Sequence, residues 1–149
     1  MARRSRAREV ALQALYQRDQ NKNMTQEDAL AFLARRLAEP ELLELGKALY
    51  LGTLQEITAI DERLGQVADN WSVERMAIVD RNVLRLGIYE LYHGPETPFK
   101  VVLDEAIELA KRYGSEESPG FVNGILDKIA NEKNKTDEAK APAEPSVTI

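Results

Sequence analysis

The stretch Ser5-Arg6-Ala7-Arg8-Glu9-Val10-Ala11-Leu12-Gln13-Ala14-Leu15-Tyr16-Gln17-Arg18-Asp19 sets the fold class. Ala7, Val10, Ala11, Ala14 and Leu15 recur at intervals of three and four residues, the period of a helix with one apolar face. Ser5 is placed to cap its start, and Asn21-Lys22-Asn23 to end it. Outward from this segment the same period repeats and strand-like alternation is almost absent. A second segment opens at Thr25, where Thr-x-x-Asp to Asp28 forms a capping box; it carries Leu30, Leu33, Ala34 and Leu37 and stops before Pro40. The third, over 41–68, is long, with Leu42, Leu45, Leu49, Ile57, Ile60, Leu64 and Val67 on its stripe. Gly46 and Gly52 lower its helix propensity, so they mark close contacts between helices.

The fourth segment is short and opens at Ser72, with Trp71 just before it in the position of a hydrophobic staple. The fifth, over 78–93, carries Val79, Val83, Leu86, Ile88 and Leu91 and ends at Gly94-Pro95. The sixth, over 101–113, follows Pro98 and closes on Gly114 as its C-cap. The seventh, over 118–131, carries Phe121, Val122, Ile125, Leu126 and Ile129. Leu84 and Leu126 are expected inside the core. The remaining stretch, 132–149, has no large apolar residue before Val147 and is predicted to be a disordered tail. The reading is all-α, about seven helices over 1–131.

Of the 149 residues 44% are hydrophobic, enough to bury a core. No cysteine is present, which excludes disulfides and thiolate chemistry. No apolar run approaches the roughly 20 residues that span a bilayer. Glu9, Gln13 and Gln17 interrupt what would be the apolar part of a signal peptide. The chain therefore reads as a cytoplasmic protein with no membrane association. The one histidine, His93, stands beside Gly94-Pro95 with no second ligand at metal spacing. No glycine-rich phosphate loop exists, and Asp104-Glu105 and Glu116-Glu117 read as solvated acids near helix starts. No catalytic residue, metal or cofactor is expected.

Charge is the sharper signal. The first eight residues, Met-Ala-Arg-Arg-Ser-Arg-Ala-Arg, hold four arginines and no acid. With these four set aside, the 20 basic residues fall to 16 against 25 acidic ones, a net charge of −9. A cationic arm on an anionic body suits contact with a polyanion at one place, because guanidinium groups donate in pairs to phosphate and displace its counterions. Arg4 and Arg8 share a helix face, and Tyr16 lies on the row through Arg8 and Leu12, where an aromatic ring would serve as a base platform. A solubilising terminus with Tyr16 as a packing residue is the alternative. In Asp80-Arg81-Asn82-Val83-Leu84-Arg85-Leu86-Gly87-Ile88-Tyr89-Glu90-Leu91, Arg81 and Arg85 are helical neighbours. Glu90 lies between Tyr89 and Leu91, where burial requires a cation, so an internal ion pair is expected. Phe121-Val122-Asn123-Gly124 follows Glu117-Ser118, with Asn123 expected to make a hydrogen bond.

Together these strings resemble the NusB family of bacterial transcription antitermination factors over positions 4 to 130. They are Arg6-Ala7-Arg8-Glu9, Ala11-Leu12-Gln13-Ala14-Leu15-Tyr16, Val83-Leu84-Arg85-Leu86, Tyr89-Glu90-Leu91, Asp104-Glu105-Ala106-Ile107-Glu108-Leu109-Ala110-Lys111 and Phe121-Val122-Asn123-Gly124. The family more often has Asn where Asp104 stands. The resemblance implies two small packed helical bundles, about 5–68 and 72–131, with the basic arm at 1–8. It implies binding to a boxA element in nascent ribosomal RNA leader or phage transcripts. It implies a heterodimer with NusE, a small-subunit ribosomal protein, within an RNA polymerase antitermination complex that includes other Nus factors. It also implies RNA contacts at Arg4, Arg6, Arg8 and Tyr16, and at Asp80, Arg85, Phe121 and Trp71. A carboxylate such as Asp80 would accept from a base amino group and give specificity.

The sequence leaves open self-association of the chain alone, as a homodimer. Two other readings stand beside this one. A similar helical domain serves as the RNA-binding module of ribosomal RNA cytosine methyltransferases, but no cofactor-binding domain follows here. A purely protein-binding helical adaptor would make the arginines incidental.

Overall fold

The computed structural model describes residues 3–69, 71–94 and 97–140, with side chains as far as Asn134. Within them the chain forms seven α-helices and no strand: α1 (Arg3–Gln20), α2 (Gln26–Arg36), α3 (Pro40–Gln55), α4 (Ile57–Val67), α5 (Ile78–His93), α6 (Phe99–Tyr113) and α7 (Ser118–Lys140). A 3₁₀ turn at Val73–Arg75 precedes α5.

α1 packs most extensively on α3, with α2 against both; α6 packs on α7, and both lie on α5. α5 also touches α1, α3 and α4, so it is the element shared by the two ends of the molecule. One apolar cluster runs through, from Ala7, Val10 and Leu15 of α1 to Leu84 of α5 and Leu126 of α7. Leu84 and Leu126 are fully buried, as their place on the stripes predicts. The capping box at Thr25 forms: the Asp28 amide donates to Oγ1 and the Thr25 amide donates to the Asp28 carboxylate, both at 3.1 Å.

The predicted close contacts at Gly46 and Gly52 are present. A methyl group on Gly52 would overlap the Tyr89 ring of α5, and one on Gly46 would meet Leu37 Cδ1 at 2.6 Å. Gly120 and Gly124 of α7, by contrast, face open space. At Gly114 the chain ends α6 as expected, its amide donating to the Ala110 carbonyl.

Four expectations are corrected. Ser5 is not a cap: α1 already begins at Arg3, and the Ser5 hydroxyl donates to Glu105 of α6. The single segment over 41–68 is two helices that turn at Glu56. A straight helix of that span would run about 42 Å, and the turn lets α3 pack chiefly on α1 while α4 packs on α5. Ser72 opens only a 3₁₀ turn and makes no capping bond, and Trp71 staples no helix. Finally, α7 runs past 131 to Lys140. Helix formers such as Glu132, Lys133 and Ala139 fill the extension, and no proline appears before Pro142. Glu132 pairs with Arg63 of α4, and the Lys133 ammonium lies 5.8 Å from the Tyr92 ring centroid. The expected tail beyond 140, and Met1 and Ala2 of the arm, lie outside the described residues.

Candidate nucleic-acid interface

The arginine-rich start of the chain is the first turn and a half of α1, so its charges are fixed in place. Arg4 is exposed and makes no ion pair among the described residues. Arg3, also exposed, pairs with Glu39 at the start of α3. Arg6, 39% exposed at its side chain, donates to Glu9 at 2.6 Å. Arg8 is different. It is buried, and its Nε and Nη2 donate to the two oxygens of Glu90 at 2.7 and 3.0 Å, with Nη1 3.5 Å from Glu105. The buried Glu90 has thus found the cation it needs, and Arg8 leaves the exposed set expected of the arm. Glu105, expected to be solvated, belongs to this internal group.

Glu9 is held between two arginines, Arg6 on one carboxylate oxygen and Arg112 of α6 on the other. Burial by itself would raise its pKa; the hydrogen bonds from Arg6 and Arg112 outweigh burial and lower it. One turn further, Gln13 Nε2 donates to the Tyr113 hydroxyl at 2.9 Å. The result is an exposed strip of guanidinium and phenol groups along the seam between α1 and α6.

The strip leads into a cleft of 440 Å³ between α1, α2, α5 and α6. Leu12, Phe32 and Val79 give it an apolar lining, and Tyr16, Tyr113, Gln13, Gln17 and Arg36 supply rings and polar groups. Arg36 lies over the Phe32 ring, 5.0 Å from its centroid. Tyr16 is half-buried in this wall, where one ring both packs and remains reachable. Arg36, Arg112 and Tyr113 were not singled out in the sequence. The Arg112-Tyr113 pair at the end of a helix was the available signal, but only the packing of α6 along α1 gives it meaning.

Of the remaining candidates, Asp80 and Arg85 lie on α5 and Phe121 on α7. Asp19 of α1 accepts from Arg81 at 2.6 and 2.8 Å, from Asn82 at 2.9 Å and from Arg85 at 3.1 Å. Arg85 also donates twice to Asp61 of α4, both at 2.8 Å. Burial opposes the charge on Asp19, yet the Arg81 and Asn82 hydrogen bonds hold its pKa at about 2. Arg85 is therefore a buried tie between three helices, not an exposed contact. Asp80 is buried as well, with Oδ1 lacking a hydrogen-bond partner among the described residues. Trp71 and Phe121 come together across the chain: their ring centroids are 6.1 Å apart, edge to face, with Trp71 54% exposed. Asn123 is exposed, and its side chain makes no hydrogen bond among the described residues. No group of three or more potential metal ligands occurs among the described residues.

Residues 5–131 match the model of the NusB family. A transcription antitermination protein NusB from Sorangium cellulosum is 44% identical, over 92% of this chain and 98% of its own length. Among solved structures, NusB from T. maritima matches with a TM-score of 0.79 at 38% identity, covering 92% of this chain and 98% of that one. A structure described as antitermination factors NusB and NusE in complex with double-stranded RNA matches with a TM-score of 0.80. There the identity is 28%, and the match covers 89% of this chain and 98% of the matched one.

Proposed function

The chain belongs to the NusB family, and from that premise we propose that it binds boxA-type single-stranded RNA of nascent ribosomal RNA transcripts as a heterodimer with NusE. In that state it helps RNA polymerase, with other Nus factors, to read through terminators in the cytoplasm. Family membership makes it a transcription antitermination protein and not an enzyme.

The observation that carries the RNA part is the exposed cationic start of α1 on an otherwise anionic molecule. Arg4 and Arg6 supply phosphate contacts there. Tyr16, about 18 Å further along the same helix, begins an aromatic surface. The Trp71–Phe121 pair, with Trp71 exposed, offers a second aromatic surface. Stacking on such rings holds unpaired bases. Arg8 and Arg85 act from inside, by fixing α1 and α5, and Asp80, whose Oδ1 is buried, does not present an acceptor at the surface. The proposed RNA path runs across both small bundles, about 5–68 and 72–131.

The test is to titrate a boxA RNA and a scrambled RNA of equal length with the chain alone and with a NusE-type ribosomal protein, at fixed salt. Preference for boxA, strengthened by the partner, is the expected result. Equal affinities throughout would return the chain to a protein-binding adaptor.

A further inference from the structure

We infer that Arg81 is a positioning residue for Trp71: it ties the 3₁₀ turn that follows Trp71 to α1, so that the exposed indole stands at a fixed place relative to the arginine-bearing helix. This rests on the RNA contact proposed above for Trp71 and goes beyond it by naming the side chain that holds that ring in register with the arm.

Trp71 lies in the connection between α4 and α5, which has little of its own to hold it. Ser72 opens the Val73–Arg75 turn without a capping bond. Val73 and Met76 pack on the core from one side. The Trp71 amide donates to the Ala68 carbonyl at 2.9 Å. Among the described residues, two side chains from other elements reach the connection with a hydrogen bond. Lys128 of α7 donates to the Asp69 carboxylate at 2.9 Å, but both side chains are more than half exposed, and such surface pairs hold little. Arg81 of α5 donates through Nη1 to the Glu74 carbonyl at 3.2 Å, in the backbone of the turn itself. Glu74 is three residues beyond Trp71, at most about 11 Å along the chain.

Arg81 has the geometry for that task. Its Nε and Nη2 donate to the two oxygens of Asp19 on α1, at 2.6 and 2.8 Å. A guanidinium is planar and its donors point in fixed directions, so this two-point grip also sets the direction of Nη1. Asp19 is held in turn by Asn82 and Arg85, and Arg85 by Asp61 of α4. The anchor is therefore rigid, and it stands one turn beyond Tyr16 on the helix that begins with the arm. The Arg81 side chain is 15% exposed and each of its three nitrogens is engaged, so it acts through the turn and not by touching phosphate. On the far side, the Phe121 ring of α7 receives the indole edge to face.

Trp71 is the only tryptophan of the chain, so its fluorescence reports this position alone. The experiment follows acrylamide quenching and time-resolved anisotropy of the indole in the full chain, R81K, R81A and L33A. It also measures binding of a boxA-type RNA to these, to W71A, and to R81K and R81A each combined with W71A, at several salt concentrations. L33A removes a fully buried side chain of α2 and lowers stability away from the turn. W71A is expected to weaken RNA binding by about tenfold, the size of one lost stacking contact. R81A should raise quenching and indole mobility and weaken RNA binding by up to that tenfold, with an unaltered salt slope because no phosphate contact is lost. R81K keeps a cation beside Asp19 and so stays folded, but it lacks the fixed directions of the guanidinium and should shift the same readouts the same way. L33A should move neither the indole nor RNA affinity. In the W71A background, neither Arg81 change should cost further affinity, because the two side chains act as one unit. Indole quenching and mobility like the parent's in both Arg81 variants would overturn the inference. So would a loss that adds to that of W71A, or a salt slope flattened by about 0.7, either of which would make Arg81 a direct RNA contact. W71A with the parent's RNA affinity would overturn instead the RNA role of Trp71 on which the inference rests, and the two failures are told apart because the fluorescence change in the Arg81 variants would then persist.

Discussion

At the residue scale, identical side chains do opposite things. Arg4 is an exposed cation with no ion pair among the described residues, and Arg8, one turn on, is buried against Glu90. Removing one member of a buried pair leaves the other uncompensated in low dielectric, at a cost of about 3–5 kcal/mol. R8A or E90A should therefore lower the thermal midpoint by many degrees, whereas R4A should leave it within about 1 °C while weakening RNA binding, since surface changes alter stability by no more than about 0.5 kcal/mol. Calorimetry separates the two. Asp19 sets a pH limit in the same way. Its pKa falls from an ordinary 3.8 to about 2, so its stabilisation is complete above pH 4 and is lost as pH drops through 2. The shift corresponds to about 2 kcal/mol at neutral pH. Glu9, lowered from an ordinary 4.5, adds to the same trend. Acid unfolding followed by circular dichroism should show the loss. D19N should remove the part due to Asp19 and destabilise the fold, because Arg81 and Arg85 would face a neutral amide.

The Glu90 partner was foreseeable from sequence, because a carboxylate between Tyr89 and Leu91 on an apolar face demands a cation. That the cation is Arg8 was not, since the pairing spans 82 positions and depends on how α1 crosses α5. The RNA-facing candidates were legible to the same degree. Tyr16 followed from helical spacing, but Arg112 and Tyr113 become part of the site only through the packing of α6 along α1.

At the element scale, periodicity located helices well and their ends less well. The stripe from Leu49 through Ile60 to Val67 is continuous in helical phase, and no glycine or proline stands at Glu56, so nothing local signals the turn there. It is tertiary packing that bends the chain. The extension of α7 was missed for a related reason: a solvated helix needs no apolar stripe, only helix formers and an anchored start. Deleting residues 132–149 should remove helical signal in circular dichroism but cost less than about 1 kcal/mol, because Glu132 and Lys133 contribute surface interactions only. The half-buried Gly52 behaves otherwise. G52A drives a methyl group into the hydroxyl end of the Tyr89 ring, which must shift, so it should destabilise by about 1 kcal/mol, less than a change in the core. L84A and L126A, at fully buried positions, should each cost about 2–5 kcal/mol. Denaturant titration of the three variants measures these costs.

At the scale of the whole molecule, charge distribution decides how RNA binds. Outside the four N-terminal arginines the net charge is −9, so an RNA strand leaving that patch meets repulsion, not a continuous cationic groove. Arg8 faces inward, so the patch itself is smaller than the arginine count suggests. Each phosphate contact on a single strand contributes about 0.7 to the slope of log affinity against log salt. If all of Arg4, Arg6 and Arg8 touched phosphate, replacing them would flatten the slope by about 2.1; with Arg8 internal, R4A/R6A should remove what those two side chains supply, about 1.4. The double variant should stay folded, since Glu9 retains Arg112. A basic ribosomal protein bound beside the strand would add its own phosphate contacts, and the affinity gained by RNA must equal that gained by the partner. Affinities of the parent and of R4A/R6A, measured across salt with and without the NusE-type protein, should therefore give two parallel pairs of lines. The variant should lose the same slope in each, and the partner should raise both by the same factor. A double variant with the parent's slope would place the phosphate contacts elsewhere on the molecule, and a partner effect that vanished with the two arginines would mean that the partner acts through α1 itself.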